Sequence, residues 1–184
     1  MTDELFSLRV IVVSGSRGDH DLFRQAASAS KVPIEIIEAD GAGSACRCLA
    51  DAVDLVFLDA ALAGNEIAQV AAAARRIANP PFTVLLSAPG AAAPFETDAL
   101  AAKPSHLEEA KRLMESSIRV RLTSRVLVLD DSPSLRRAAV EELASIYAKA
   151  VKEAREDTGL APNAFPKTCP YSLTDLLESR IVPE

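Results

Sequence analysis

Aromatic residues and cysteines are both scarce in this chain of 184 residues. Only 4% of the residues are aromatic and none is tryptophan, which argues against a base-stacking platform for single-stranded nucleic acid. The formal net charge of −6 argues against nucleic-acid binding in general, because that binding depends on neutralising phosphates. Three cysteines, Cys46, Cys48 and Cys169, are an odd number without the paired spacing typical of zinc sites. Reduced thiols in a cytoplasmic protein are the simplest interpretation.

Long hydrophobic runs are absent as well. No apolar stretch is long enough to span a bilayer, and the acidic, mixed first residues do not resemble a signal peptide. Hydrophobic residues nevertheless make up 49% of the chain, which is enough for a folded core. We therefore expect a cytoplasmic protein whose partners are other proteins and neither membranes nor nucleic acids.

Short apolar runs alternate with helical patterns five times along the first two thirds of the chain. Such alternation predicts a parallel sheet with helices on both faces, here a flavodoxin-like, doubly wound (βα)5 domain of five strands followed by an extra C-terminal strand and helices. The segment 88–97 is rich in alanine and proline and predicts at most a stub of the fourth helix. The predicted strands are 8–13, 34–38, 53–59, 82–86 and 98–102.

Three polar residues follow the predicted third, fourth and fifth strands. Asp59, Ser87 and Lys103 each stand where a strand ends, and open α/β sheets place their sites at the carboxyl ends of their strands. A carboxylate can act as a nucleophile, and a hydroxyl and an ammonium beside it can stabilise a transferred phosphoryl group. The alternative for Asp59 alone is that it starts a turn or caps the next element.

With this order of residues, 8–117 resembles a receiver domain of bacterial two-component response regulators. The resemblance implies that Asp59 is the phosphoacceptor, that Ser87 supplies the hydroxyl and that Lys103 pairs with the phosphate. It also implies a sensor kinase or another signalling protein as partner. Apart from accepting a phosphoryl group on Asp59, the resemblance implies no enzymatic activity.

The resemblance fails where receivers carry the acidic pair that binds Mg²⁺. After the first strand the chain has Ser14 and Ser16, and the first carboxylate is Asp19, which we predict to be a helix cap. Because one or two carboxylates usually anchor Mg²⁺, Asp59 alone predicts a weak magnesium site at best. We therefore expect phosphorylation of Asp59 to be slow or absent.

The second half resembles the opening of another receiver. Residues 124–137 contain an apolar strand followed by the acidic pair Asp130 and Asp131, but no later strands of a second receiver follow. The strand would have to join the first sheet, pair with another copy or stay partly disordered. Asp130 and Asp131 could replace the missing magnesium ligands, or form a solvated loop. The predicted domains are 1–122, a truncated second receiver over 123–157, and a tail over 158–184 that is similar to the C-terminus of a bacterial helical family of unknown function.

Two functions remain open at this point. The first is a two-component signalling protein in which Asp59 is an impaired phosphoacceptor. The second is a phosphorylation-independent pseudo-receiver that acts as an interaction or dimerisation module, with a long amphipathic helix that packs on a second protomer. A small-molecule enzyme on the same fold has little support, because the chain has no phosphate cradle and no reactive cysteine context.

Overall fold

The structure is a computed structural model that describes residues 7–88, 97–124, 127–128, 132–162 and 169–170. Its centre is a parallel sheet of five strands in the order β2-β1-β3-β4-β5, with the short strand β7 added antiparallel to β5 at the edge. This confirms the α/β class and is consistent with a flavodoxin-like fold. The strands of this sheet are β1 (Leu8–Val13), β2 (Ile34–Ala39), β3 (Leu55–Asp59), β4 (Phe82–Ser87), β5 (Ala99–Ala102) and β7 (Ala161–Pro162).

Helices cover both faces of the sheet, which explains why the central strands are apolar on both sides. Alternate residues of β1 point into opposite cores: Val10 and Val12 pack with α1, α4 and α5, whereas Ile11 and Val13 pack with α2 and α3. Every residue of β3 is buried. The helices are α1 (Arg17–Ser28), α2 (Ala42–Cys48), α3 (Gly64–Arg75), α4 (Leu107–Ser124) and α5 (Pro133–Thr158).

Helix α4 is longer than its sequence predicts. The sequence predicts a helix that Ser105 caps and that ends near Ser117, followed by a basic connector over 118–123, but the helix continues to Ser124. Arg121 explains the difference: the residue is largely buried, and its guanidinium donates hydrogen bonds to the carbonyl of Asp54 (3.3 Å) and to Asn79 Oδ1 (3.3 Å). The basic segment is therefore a helix anchored at the amino-terminal edge of the sheet.

Helix α5 packs on α4 and runs in the opposite direction. Arg119 Nη1 of α4 lies 2.8 Å from Glu153 Oε2 of α5. Tyr147 of α5 lies near Asp98, whose negative charge contributes to raising the pKa of Tyr147. After α5 the chain enters β7, where Ala161 pairs with Leu100 of β5. The buried residues of α5 begin at Tyr147; none of the residues described earlier in the helix is buried, so its first half extends past the amino-terminal edge of the sheet.

The predicted extra strand adopts none of the three expected arrangements: it neither joins the first sheet, nor pairs with another copy, nor lacks order throughout. Strand β6 (Leu127–Val128) pairs in parallel with β8 (Cys169–Pro170) of the same chain, in a separate two-stranded sheet. Most of the segment predicted to lack a full fourth helix, together with Asp130 and Asp131, lies outside the described residues. Within the described ranges, no helix combines the length and the apolar character needed to cross a membrane.

Candidate functional site

The carboxyl edge of the sheet brings Asp59 and Lys103 into direct contact. Asp59 ends β3 and Lys103 follows β5, and Lys103 Nζ lies 2.8 Å from Asp59 Oδ2. The Asp59 side chain is only 6% exposed, whereas that of Lys103 is 35% exposed. The backbone N–H of Ala61 donates to Asp59 Oδ1 at 3.0 Å, and the hydroxyl of Ser14 donates to Asp59 Oδ2 at 3.0 Å. Both oxygens of the carboxylate are therefore already hydrogen-bonded.

Asp19 belongs to the same cluster, although the sequence pattern predicted it to cap a helix. Its Oδ2 lies 2.7 Å from Lys103 Nζ and 2.6 Å from Ser14 Oγ. The helix cap is instead Ser16, whose side chain accepts a hydrogen bond from the backbone N–H of Asp19. Because Asp19 stands in the first turn of α1 and its carboxylate is not needed as a cap, that carboxylate reaches the end of the neighbouring strand.

Ser87 lies at the same edge, on the strand between Asp59 and Lys103. The backbone N–H of Lys103 donates to the Ser87 carbonyl at 3.0 Å, so β4 positions the lysine backbone. The Ser87 hydroxyl itself donates to the carbonyl of Ala88 at 3.2 Å. Among the described contacts it has no bond to Asp59, so the structure brings all three predicted residues to one edge but joins only two of them by their side chains.

The charges of the cluster favour a stable ion pair. Burial raises the pKa of Asp59, but hydrogen bonds from Lys103, the Ala61 N–H and Ser14 outweigh it and hold this pKa below its ordinary value. Burial lowers the pKa of Lys103, but its hydrogen bonds to Asp19 and Asp59 outweigh it and hold this pKa above its ordinary value. Both groups therefore stay charged across the neutral pH range.

The cluster does not fit Mg²⁺ in this arrangement. Asp19, Asp59 and Ser14 could offer oxygen ligands of the kind that Mg²⁺ prefers, but the ammonium of Lys103 already stands between the two carboxylates. Among the residues that the structure describes, no group of three or more histidine, cysteine, aspartate or glutamate side chains could hold a metal ion. The chemistry of the cluster is therefore that of two carboxylates neutralised in part by one internal cation.

The carboxylate of Glu66, in the first turn of α3, is likewise hydrogen-bonded within the chain. Its carboxylate accepts hydrogen bonds from the backbone N–H of Ala42, at the start of α2, and from the N–H of Ala63 at the start of its own helix, both at 3.4 Å. The backbone donors of these helix starts, which could otherwise attract an anion, are partly satisfied by a carboxylate of the chain itself.

Comparison with known proteins corrects the predicted resemblance. A family model described as a domain of unknown function, DUF29, matches residues 99–182, which is less than half of the chain. No receiver-domain model matches, so the prediction of a receiver is wrong, and residues 124–137 lie inside the matched range instead of opening a second receiver. No curated protein matches the chain. The three polar strand ends misled the interpretation because any parallel α/β sheet collects polar residues at its carboxyl edge, whatever its function.

Proposed function

We propose that the chain is a phosphorylation-independent protein-interaction module, without a catalytic role for Asp59. One observation carries the first part of this proposal: the Asp59 carboxylate is enclosed and paired with Lys103 Nζ at 2.8 Å. The same ammonium is shared with Asp19 at 2.7 Å. A phosphoryl group arriving at Asp59 would meet two carboxylates and a single cation that both of them already hold, so electrostatic repulsion opposes its transfer.

The interaction part of the proposal rests on the surface of the molecule. Leu135 and Ile146 of α5 and Leu122 of α4 are about half or more exposed, and large apolar side chains exposed on a surface can contribute to a protein-binding face. A cytoplasmic location is part of the proposal, and it is supported by Cys46 and Cys48, which are free thiols.

The amide of Ala61 offers a direct test, because it donates to Asp59 Oδ1. The protein is incubated with Mg²⁺ and acetyl phosphate, and its intact mass is measured; in parallel, the Ala61 amide shift is followed by NMR as Mg²⁺ and beryllofluoride are added. We expect no phosphoryl adduct and no change of the Ala61 shift. An adduct that forms on the wild-type protein but not on Asp59→Asn would overturn the proposal.

A second candidate is a signal-transduction protein in which Asp59 is an impaired phosphoacceptor. It is favoured by the position of Asp59 and Lys103 at the ends of β3 and β5, with Ser87 between them. In this reaction an Asp59 oxygen would attack phosphorus, and acetate would leave with the electron pair of the broken P–O bond. Lys103 would have to move from the carboxylate to the new phosphoryl oxygens, and Ser87 would have to release the Ala88 carbonyl. Slow formation of the adduct in the same experiment would support this candidate.

A further inference from the structure

An apolar stripe runs along the first half of α5. Leu135 and Ile146 are 60% and 47% exposed, and Ala139 and Leu143 between them are partly exposed. At about 100° of rotation per residue, these four side chains lie within about 80° of the helix circumference. We call these four residues the α5 stripe.

Helix α4 ends before it reaches the α5 stripe. Arg119 of α4 and Glu153 of α5 form an ion pair between the two antiparallel helices, and both helices rise by the same amount per residue. Ser124, the last residue of α4, stands five residues after Arg119 and is therefore level with about residue 148 of α5. Helix α4 therefore covers the second half of α5 and leaves the stripe uncovered.

Strand β8 brings the residues that follow it to the start of α5. Pro170 pairs with Val128 of β6, which precedes Pro133, the first residue of α5, by five residues. These residues span at most about 17 Å, and paired strands lie about 5 Å apart. Because β6 and β8 are parallel, the chain leaves Pro170 in the direction in which β6 leads to α5. Residue 171 therefore begins near the amino-terminal end of α5.

Residues 171–182 have the apolar pattern of an amphipathic helix. They lie outside the described residues, and we call them the tail segment. Leu173, Leu177 and Ile181 recur every four residues, and Leu176 adjoins them on the same side. A helix with this pattern needs an apolar surface to cover its own apolar side.

We propose that the tail segment forms a helix that packs on the α5 stripe of its own chain, parallel to α5. Eleven residues of helix are about 16 Å long, which is the distance along α5 from Leu135 to Ile146. The match to the family model covers 99–182 and so includes both the stripe and the tail segment. The inference rests on the proposed interaction function, because it names an occupant for the apolar surface that this function assigns to α5.

The position of β8 selects the parallel direction. A parallel helix starts beside the first turn of α5, where the chain leaves Pro170. An antiparallel helix would have to start near Ile146, about 20 Å further along α5 than Pro133. Only residue 171 separates β8 from Ser172, which has the residue type of a helix cap, and a single residue does not span that distance.

Charge favours the same direction. In the parallel register that aligns Leu177 with Ala139, Arg180 is level with Glu142, at the edge of the stripe. An antiparallel helix centred on the same pair would place Arg180 level with Arg136, and like charges oppose association. Because both apolar patterns repeat every four residues, the parallel register aligns their other members as well.

Hydrogen–deuterium exchange of the full chain, read by mass spectrometry, tests the inference. Leu177→Glu places a charge in the contact, so we expect amide exchange over residues 133–146 to become at least about tenfold faster. Residues 147–158, which include the buried residues of α5, should keep their rates. Ser179→Glu is the matched control, because it adds the same charge about 200° around the predicted helix and should change neither stretch. Urea unfolding of both variants checks that they fold.

A pair of introduced cysteines tests the contact itself. In a chain whose three native cysteines are replaced by alanine, Ala139→Cys with Leu177→Cys places two thiols in the aligned position. We expect the disulfide within one chain to form at least about tenfold faster than in Ala139→Cys with Ser179→Cys, whose second thiol lies on the opposite side of the helix. Peptide mapping of the unreduced monomer measures both rates.

Three outcomes would overturn the inference. Exchange over 133–146 that is the same in the wild type and in Leu177→Glu would mean that the tail segment does not protect α5. Equal rates for the two disulfides would mean that the segment passes the stripe without binding it, and a disulfide between two chains would mean that a second copy covers the stripe. None of these outcomes involves Asp59, whereas a phosphoryl adduct on Asp59 would overturn the proposed function and leave these data intact, so the two failures are distinguishable.

Discussion

Lys103→Met removes the only ammonium group seen in the Asp59 cluster and keeps a side chain of similar length. Two carboxylate oxygens, Asp19 Oδ2 and Asp59 Oδ2, then lose a partner at 2.7 and 2.8 Å. The side chain of Asp59 is 6% exposed and that of Asp19 is 17% exposed, so water can replace the lost contact only in part. The substitution therefore leaves two poorly solvated negative charges next to each other.

The size of the effect follows from two terms. Removing one partner of a fully buried ion pair costs about 3–5 kcal/mol. Two carboxylates roughly 5 Å apart repel each other by about 3 kcal/mol at an effective dielectric constant of about 20, before either takes up a proton. Because the Lys103 side chain is 35% exposed, solvent screening reduces the loss. We expect Lys103→Met to lower the free energy of unfolding by about 2–3 kcal/mol.

Urea unfolding of four proteins measures the pair directly. The wild type, Asp59→Asn, Lys103→Met and the double variant form a cycle whose coupling energy we expect to be about 1–3 kcal/mol. Lys152→Met is the control, since its surface pair with Glu156 should be worth less than about 0.5 kcal/mol. A coupling energy no larger than that of the control, with unchanged urea dependence, would refute the reasoning.

The pH dependence of the loss has a defined sign. The pKa of Asp59 lies below its ordinary value of 3.8, so its contribution is fully present above pH 3.8 and disappears as the pH falls through its folded-state pKa. The pKa of Lys103 lies above its ordinary value of 10.5, so its contribution is present below pH 10.5 and disappears as the pH rises through its folded-state pKa. The contribution of the Asp59–Lys103 pair to the stability of the wild type should therefore be constant at neutral pH and shrink at both extremes.

Three further predictions concern the frame around the cluster. Thr83→Val removes the hydroxyl that donates to Asp98 Oδ2 at 2.8 Å and accepts from the Asp98 N–H at 3.0 Å; it should cost about 1–2 kcal/mol in urea unfolding, and a loss below about 0.5 kcal/mol would contradict this. Burial, and secondly the nearby charge of Asp98, raises the pKa of Tyr147 above its ordinary value of 10.0. Ultraviolet titration of a variant that lacks the other tyrosine should therefore show Tyr147 ionising at a higher pH than a free tyrosine. The contribution of neutral Tyr147 to stability should be present below pH 10.0 and lost as the pH rises through its folded-state pKa. A Cβ at Gly41 would lie 2.8 Å from Glu66 Oε1, the end of a flexible side chain, so Gly41→Ala should cost less than about 1 kcal/mol, and the cost should vanish in a Glu66→Ala background.

The sheet and half of the cluster could be predicted because they depend on local patterns. Apolar runs such as 55–58 indicate strands buried on both faces, and the carboxyl ends of parallel strands meet at one edge, so the contact of Asp59 with Lys103 follows from strand order. The place of Asp19 could not be predicted in the same way. It depends on whether α1 starts at residue 17, after Ser16, or three residues later, after Asp19, and both are good cap residues.

The wrong predictions for the second half of the chain have a different cause, because there the contacting residues lie far apart in the sequence. Arg121 belongs to a helix because it meets Asp54 and Asn79 at the far edge of the sheet, and no local pattern records those partners. Strand β6 pairs with β8, some forty residues later, and two-residue strands carry too few side chains to specify a register. Short strands and buried arginines are therefore the elements for which tertiary contacts override the local pattern.

The two edges of the sheet differ in what they leave available for binding. At the carboxyl edge, Lys103 is held by Asp19 and Asp59, and Glu66 accepts bonds from the starts of two helices. Two negative charges around one positive charge favour no further anion, and the ammonium occupies the place that a cation would need. Beyond the amino edge, by contrast, α5 presents apolar residues whose exposure costs free energy in water. Apolar surface that could be buried on binding is therefore found on α5, at Leu135 and Ile146, and not at the polar edge, where the hydrogen bonds and ion pairs are already made.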